Sequence, residues 1–331
     1  MDIGEMEGID NIPKISVIIP VRNGADKIEQ CLKAVFSQFY RPYEVIVVDG
    51  HSSDKTVEKA SQFPVQILYE NYRTRAGACR VGVENASGEY VAFTDADCIP
   101  KTDWLENLVK ELDEGIVGVG GGIMQTGEGF WTKSINLAFN TFLGSANAVQ
   151  GRFLKKKRFV NTFSGCNSIY RREDVMRIGG FNVRLKGAED AELNRRLSKL
   201  GKLLYTPNAI VLHNHGRGLK DFASQIYRQY GRYTTQSNIW RLQVFVPLLL
   251  IPLLLVSLIF IPWLFLSLLG LYLLLIGAYG LKFAIQQRNF KYLFSIPVVY
   301  ITEHIFYSFA FWMGLFQRIK LLRTKRRAVL P

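Results

Sequence analysis

The chain has 331 residues, 48% of them hydrophobic, with 41 Lys and Arg against 28 Asp and Glu for a formal net charge of +13. Residues 241–331 hold ten basic residues and one acid, Glu303, so most of the excess charge flanks an apolar region and reads as membrane edges, not as a nucleic-acid footprint. The four cysteines, Cys31, Cys79, Cys98 and Cys166, form no CxxC pair, a spacing that argues against a zinc site and a disulfide framework and fits a reducing compartment.

Residues 1–13 form an acidic leader without the basic and apolar regions of a signal peptide, so the first domain is expected to stay in the cytoplasm. Residues 15–20, rich in Val and Ile and stopped by Pro20, predict a buried parallel strand. A helix fits 25–39, and the strand signal returns at 44–49. Ser52 and Ser53 offer caps for a helix beginning near Asp54, and 65–69 predicts a third strand. A helix over 76–86, a strand over 90–94 and a helix over 102–112 continue the alternation. That order predicts an α/β fold with a mostly parallel, doubly wound sheet covered on both faces. Residues 14–122 are the expected nucleotide-binding half. Beyond Gly122 the alternation weakens, and 123–240 is the expected acceptor-binding half.

Residues 219–233 predict an amphipathic helix with Phe222, Ile226, Tyr227 and Tyr230 on one side, suited to lie along a membrane surface. No Asp, Glu, Lys or Arg occurs over 242–281, about twice the ~20 residues that one helix needs to cross a bilayer. Residues 241–282 therefore predict a transmembrane hairpin that reverses near Pro262, with the basic 282–291 loop on the cytoplasmic side. The stretch 292–316 is long enough to cross. Six basic residues follow it, and Pro297, Glu303 and His304 interrupt it, so spanning and re-entrant burial both stay open. Residues 317–331 form a basic tail.

Thr94-Asp95-Ala96-Asp97 follows directly on a predicted strand, at the carboxyl end where open α/β sheets bind ligands. Two carboxylates one residue apart can reach one hard cation, and Mg²⁺ or Mn²⁺ with oxygen ligands would bridge a diphosphate. The plainer alternative is a solvated pair capping the next helix. Asp49 ends the strand before Gly50, His51, Ser52 and Ser53 and faces the same crevice, unless it is an ordinary turn carboxylate bonding its own backbone.

Four ordered blocks, Ser16-Val17-Ile18-Ile19-Pro20-Val21-Arg22-Asn23, Val47-Val48-Asp49-Gly50-His51-Ser52-Ser53-Asp54-Lys55-Thr56, Gly88-Glu89-Tyr90 and Asp95-Ala96-Asp97, together resemble family 2 glycosyltransferases with the GT-A fold. The resemblance covers roughly residues 14–233. It implies that Pro20, Val21, Arg22 and Asp49 line the base and ribose site, that Arg80 lies near the nucleotide, and that Asp95, Ala96 and Asp97 hold the donor. The metal would rest on Asp97 and Asp95, with His215 of His213-Asn214-His215 as a further candidate ligand. Many relatives have two acids before the glycine where this chain has Val48-Asp49, leaving Asp49 alone for the base contact.

Gly187-Ala188-Glu189-Asp190-Ala191-Glu192-Leu193 resembles the family's acidic acceptor motif, in which the residue matching Asp190 is the general base and Glu189 orients. A sugar hydroxyl is a poor nucleophile and needs a carboxylate within reach to take its proton. Phe163-Ser164-Gly165-Cys166-Asn167-Ser168 resembles the segment that shapes the donor-sugar and acceptor pocket, which makes Gly165 and Asn167 candidates. Arg228-Gln229-Tyr230-Gly231-Arg232 resembles the QxxRW segment of processive synthases, but no Trp follows Arg232. Arg228 and Arg232 remain candidates for the acceptor or diphosphate. The expected activity is inverting, metal-dependent transfer from a UDP- or GDP-sugar to a hydroxyl of a lipid-linked saccharide or glycolipid in the cell membrane. The alternatives are a polyprenyl-phosphate sugar synthase, a polysaccharide synthase and a silent nucleotide-sugar-binding scaffold.

Overall fold

The computed structural model describes residues 13–41, 43–145, 148–149, 153–214, 216–228 and 242–327. The chain divides into two compact units, Met1–Gln125 with Phe153–Asn214, and Thr126–Arg152 with His215–Pro331. The stretch 123–240 thus contributes to both.

The first unit is built on a nine-stranded sheet. Strands β1 (Ile15–Val21), β2 (Tyr43–Asp49), β3 (Gln66–Tyr69) and β4 (Tyr90–Thr94) form its parallel part, in the order β3-β2-β1-β4. Helices α1 (Ile28–Phe36), α2 (Thr56–Ala60) and α3 (Arg75–Asn85) connect them. All seven residues of β1 are buried, as expected of a central strand covered on both faces. One face packs Ile15, Val17 and Ile19 against Ile28, Cys31, Leu32 and Val35 of α1. A Cβ on Gly88 would lie 2.7 Å from the Ser16 amide nitrogen and 2.8 Å from the Lys14 carbonyl oxygen, so the turn into β4 can approach β1 only with glycine there.

Beyond β4 the sheet changes character. Strands β5 (Cys98–Pro100), β6 (Ile116–Thr126), β7 (Arg158–Val160), β8 (Asn167–Arg171) and β9 (Lys202–Asn214) extend it, with β8 antiparallel to both β4 and β6 and with β5 and β7 antiparallel to β9. The sheet is mixed where the alternation predicted it mostly parallel. Parallel pairing needs a crossover of a dozen or more residues, usually helical, and the regular strand-helix alternation that supplies one stops after β4. Three helices complete this unit: α4 (Trp104–Val109), α7 (Arg172–Arg177) and α8 (Glu189–Leu197).

The second unit is helical: α5 (Phe130–Phe139), α6 (Phe142–Ser145), α9 (Leu219–Ile226), α10 (Leu242–Phe260), α11 (Pro262–Gln286) and α12 (Tyr292–Arg327). Phe222 and Ile226 of α9 are buried with Ile135, Phe139, Phe283 and Ile296. Two of the four residues expected to meet a membrane surface, Phe222 and Ile226, are therefore covered by neighbouring helices, while Tyr230 and the rest of 229–233 lie outside the described residues. Pro262 opens α11, where a missing amide hydrogen costs nothing. Helix α12 continues through Pro297 and across the whole of 292–316, with no re-entrant break. Buried hydroxyls staple α12 to α5 and to the bend that follows it: Ser295 to Ser134 at 2.8 Å and Tyr300 to Thr141 at 2.8 Å. His304 shares a 3.0 Å hydrogen bond with Tyr272 of α11. Pro262–Gln286 and Tyr292–Phe316 are each long and apolar enough to cross a membrane.

Candidate active site

A cleft of about 440 Å³ opens at the carboxyl ends of β1, β2 and β4, lined by Pro20, Val21, Arg22, Gly50, Asp95, Ala96 and Asp97, and also by Glu70, Arg73, Thr74 and Arg75. The loops after β1 and β2 are laced together. The Asn23 amide donates to the Ser52 hydroxyl at 2.8 Å, the Ser53 amide to Asn23 Oδ1 at 2.8 Å, the Gly24 amide to the Thr56 hydroxyl at 2.8 Å and the Ala25 amide to Asp54 Oδ2 at 3.1 Å. Asn23 occupies the left-handed region at φ 51°, which turns Arg22 and Gly24 toward the cleft wall.

Asp49 is only 1% exposed and lies behind this wall. It accepts hydrogen bonds from the Ser52 amide at 2.9 Å and the Ser52 hydroxyl at 2.5 Å. It is the turn carboxylate that holds the β2–α2 loop, and Gly50, not Asp49, lines the cleft. Both Asp49 oxygens are engaged by Ser52, directly beside Gly50, where the base and ribose contact is expected. Glu70, which directly follows β3, was not singled out in the sequence. It is 2% exposed, it lines the cleft, and its Oε2 has no hydrogen-bond partner among the described residues.

Arg75 ties the cleft together. Thr74 caps α3 by accepting from the Gly77 amide at 3.0 Å, and Arg75 follows in the first turn. Its Nη2 and Nε donate to Asp95 Oδ1 at 2.6 and 3.0 Å, and its Nη1 donates to Glu189 Oε1 at 2.9 Å. Arg80, the arginine expected near the nucleotide, instead pairs with Glu84 at 2.8 Å and is absent from the cleft lining. Five helical residues rotate a side chain by about 140°, so Arg75 and Arg80 cannot share one face. The available signal was position: Arg75 opens a helix that follows a parallel strand's carboxyl end.

The two carboxylates after β4 have different partners. Burial raises the Asp95 carboxyl, Arg75 opposes that rise and the charge of Asp97 adds to it. Asp97 Oδ2 lies 3.3 Å from His213 Nε2. Burial alone would lower the His213 imidazole, but the Asp97 carboxylate leads the interactions that hold it up at about 9. His213 is thus the imidazole seen at Asp97. His215 lies outside the described residues, as does Arg232.

Glu189 and Asp190 form the first turn of α8, entered through Gly187 at φ 143° and Ala188 at φ 52°, a strained approach for a residue with a side chain. Asp190 Oδ2 accepts from the Gly165 amide at 3.0 Å and Oδ1 from the Ala191 amide at 2.7 Å. Burial and then the Glu189 charge push the Asp190 carboxyl up to about 6, against Arg75 and the two amides. A carboxylate poised near neutrality suits general-base work. At Gly165 a Cβ would stand 3.0 Å from Arg75 Nη1 and 3.4 Å from Asp190 Cβ, so this glycine packs where the two groups meet.

Asn167 does not face that space. It is 1% exposed. Its Oδ1 accepts from Trp104 Nε1 at 2.8 Å and its Nδ2 donates to the carbonyls of Gly122 at 3.0 Å and Ala209 at 2.9 Å. With both amide hydrogens donated and the carbonyl accepting from Trp104, this buried side chain pins three elements together. Arg228, in the second unit, is exposed and its Nε donates to the Ser224 carbonyl at 3.3 Å.

A family model described as glycosyl transferase family 2 matches residues 16–179. The chain is similar to the glycosyltransferase AglE of Haloferax volcanii, at 31% identity over 70% of this chain and 75% of that protein. It is also 26% identical to a Methanococcus voltae protein, over 91% of this chain and 97% of the relative. That relative is named dolichyl N-acetyl-alpha-D-glucosaminyl phosphate 3-beta-D-2,3-diacetamido-2,3-dideoxy-beta-D-glucuronosyltransferase. In three dimensions it aligns with a mannosyltransferase of Pyrobaculum calidifontis solved with GDP-Man and Mn²⁺, at a TM-score of 0.60 and 21% identity over 88% of each chain, a likeness of fold. The chain belongs to glycosyl transferase family 2, carries its GT-A fold and is a glycosyltransferase.

Proposed function

We propose that this glycosyltransferase moves a sugar from a UDP- or GDP-sugar to a hydroxyl of a lipid-linked saccharide or glycolipid, inverting the anomeric centre and depending on Mg²⁺ or Mn²⁺. The observation that carries the reading is the Arg75 bridge from Asp95 to Glu189, which joins the donor carboxylates to the segment holding Asp190. Asp97 and Asp95 are the oxygen donors that would hold a hard divalent cation, and the His213 imidazole stands 3.3 Å from Asp97 on the other side. When bound, such an ion supplies charge neutralisation for the departing diphosphate. Pro20, Val21, Arg22 and Gly50 would receive the nucleoside, and the Glu70 carboxylate, whose Oε1 stands nearest Gly50, suits an N–H of a base, which uracil and guanine both present. Asp190 takes the proton from the acceptor hydroxyl as it attacks. Glu189, held by Arg75, keeps that turn in position.

The acceptor class follows from the relative in Methanococcus voltae, whose name specifies transfer onto a dolichyl-linked sugar phosphate and which matches along 97% of its length. Helices α10 to α12 would hold the chain in the membrane as a multi-pass protein with its catalytic unit in the cytoplasm. Trp263, Leu274 and Ile285 of α11 and Phe294 of α12 are 80%, 73%, 67% and 72% exposed, a burden of apolar surface that lipid would relieve. In this reading residues 14–122 would bind the donor, 123–240 the acceptor, and 241–282 with 292–316 the bilayer.

The test is release of nucleoside diphosphate from a panel of UDP- and GDP-sugars by detergent-solubilised protein, with Mn²⁺, Mg²⁺ or chelator and with polyprenyl lipids. Metal-dependent release that requires lipid and is lost in Asp97→Asn and Asp190→Asn supports the proposal. Full activity in Asp190→Asn with none in Asp97→Asn would instead point to a phosphate acceptor. Long products would indicate a polysaccharide synthase, and nucleotide binding without turnover a silent scaffold.

A further inference from the structure

Cys98, Cys166 and His213 come from distant parts of the sequence, yet one ligand atom of each lies within 4.8 Å of the others. The sheet brings them together: Cys98 opens β5 directly opposite His213 of β9, and Cys166 immediately precedes β8. Both thiols are buried. Asp97 lies beside this group of three, with Oδ2 at 3.3 Å from His213 Nε2 and Oδ1 at 3.9 Å from Cys98 Sγ.

We infer that Cys98, Cys166 and His213 form a binding site for a thiophilic divalent ion such as Zn²⁺, with Asp97 swinging in as the fourth donor, separate in chemistry from the oxygen ligands that suit Mg²⁺ or Mn²⁺. Two thiolates, an imidazole and a carboxylate are all donors that zinc accepts in a tetrahedral shell. Bonds of ~2.0–2.3 Å hold such ligands ~3.3–3.8 Å apart, so a group now within 4.8 Å closes by up to about 1.5 Å around the ion. Each thiol loses its proton to solvent as its sulfur binds. Asp97 also lines the cleft, so the ion reaches the thiols from that side and a hard and a thiophilic ion compete for one carboxylate. Zinc or cadmium would thus inhibit by withdrawing Asp97 from the cleft.

The experiment titrates Cd²⁺ into the metal-free full chain in detergent and records the ultraviolet absorbance of cadmium–thiolate bonds. The band should saturate at one ion per chain, fall to about half or less in Cys98→Ser and in Cys166→Ser, and persist unchanged in Cys31→Ser and Cys79→Ser. No saturable band in the wild type, or a full band in the Cys98→Ser/Cys166→Ser double variant, would overturn the site. X-ray absorption on the wild type loaded with one Zn²⁺ avoids any folding defect of the variants. Two sulfur neighbours support the assignment, and a shell of oxygen and nitrogen alone refutes it.

Discussion

Asp190 carries two opposite demands that one substitution can separate. Its carboxyl is held at about 6 where an unperturbed one sits at 3.8, a difference worth about 3 kcal/mol against ionisation at neutral pH. The folded pKa lies above the unfolded one, so the stability this group contributes is full below pH ~3.8 and is lost as pH rises through ~6. Asparagine carries no charge and keeps an oxygen for the Gly165 amide. At pH 8 Asp190→Asn should therefore be more stable than wild type by up to about 3 kcal/mol, an advantage that shrinks toward pH 4. The same variant should lose transfer altogether. In the wild type kcat/KM should fall about ten-fold from pH 7 to pH 5, as the ionised fraction drops from about nine-tenths to about one-tenth. Thermal unfolding in detergent at both pH values, run beside nucleoside diphosphate release, measures both effects. A variant less stable than wild type at pH 8, or one that keeps wild-type turnover, would refute the assignment of a buried, costly base.

Three further outcomes are expected. Asn167→Ala orphans the Trp104 indole and the Gly122 and Ala209 carbonyls, and should cost ~2–5 kcal/mol in urea unfolding without changing KM in the protein that remains folded. A raised acceptor KM with unchanged stability would return Asn167 to the acceptor site. Gly88→Ala drives a methyl into backbone atoms of Ser16 and Lys14 and should destabilise by ~1–3 kcal/mol, a loss that an unshifted urea midpoint would contradict. Glu70→Gln removes the unpartnered cleft carboxylate and should raise the donor KM by ~10–100-fold with little effect on the acceptor KM. An unaltered donor KM would mean that the base does not reach it.

The elements legible in the sequence were those whose signal is local. Strands β1, β2 and β4 follow from runs of Val and Ile that central parallel strands require, and the helices from the alternation between them, although Ser52 and Ser53 do not cap α2, which begins at Thr56. The acid pair after β4 and the Glu189-Asp190 turn were legible because adjacent residues carry them. The antiparallel half was not, since strands such as β8 and β9 owe their pairing to partners far along the chain and to no local pattern. Helix α9 shows the same limit: its amphipathic face was correctly read, but periodicity cannot say whether helices or lipid will cover it.

Side-chain direction divides the candidate site in the same way. Sequence alone determined that carboxylates gather at strand ends, that a family 2 donor motif is present, and that two or more apolar segments follow it. Tertiary structure decided which groups face one another. It turned Arg75 and not Arg80 into the cleft, withdrew Asp49 and Asn167 behind it, brought Glu70 to its wall, and set Cys98, Cys166 and His213 side by side. Which face of α3 turns to the cleft chooses between Arg75 and Arg80, and the register of one antiparallel pair sets Cys98 opposite His213. Neither is written in the spacing of the residues concerned, because both are set by what packs on the other face.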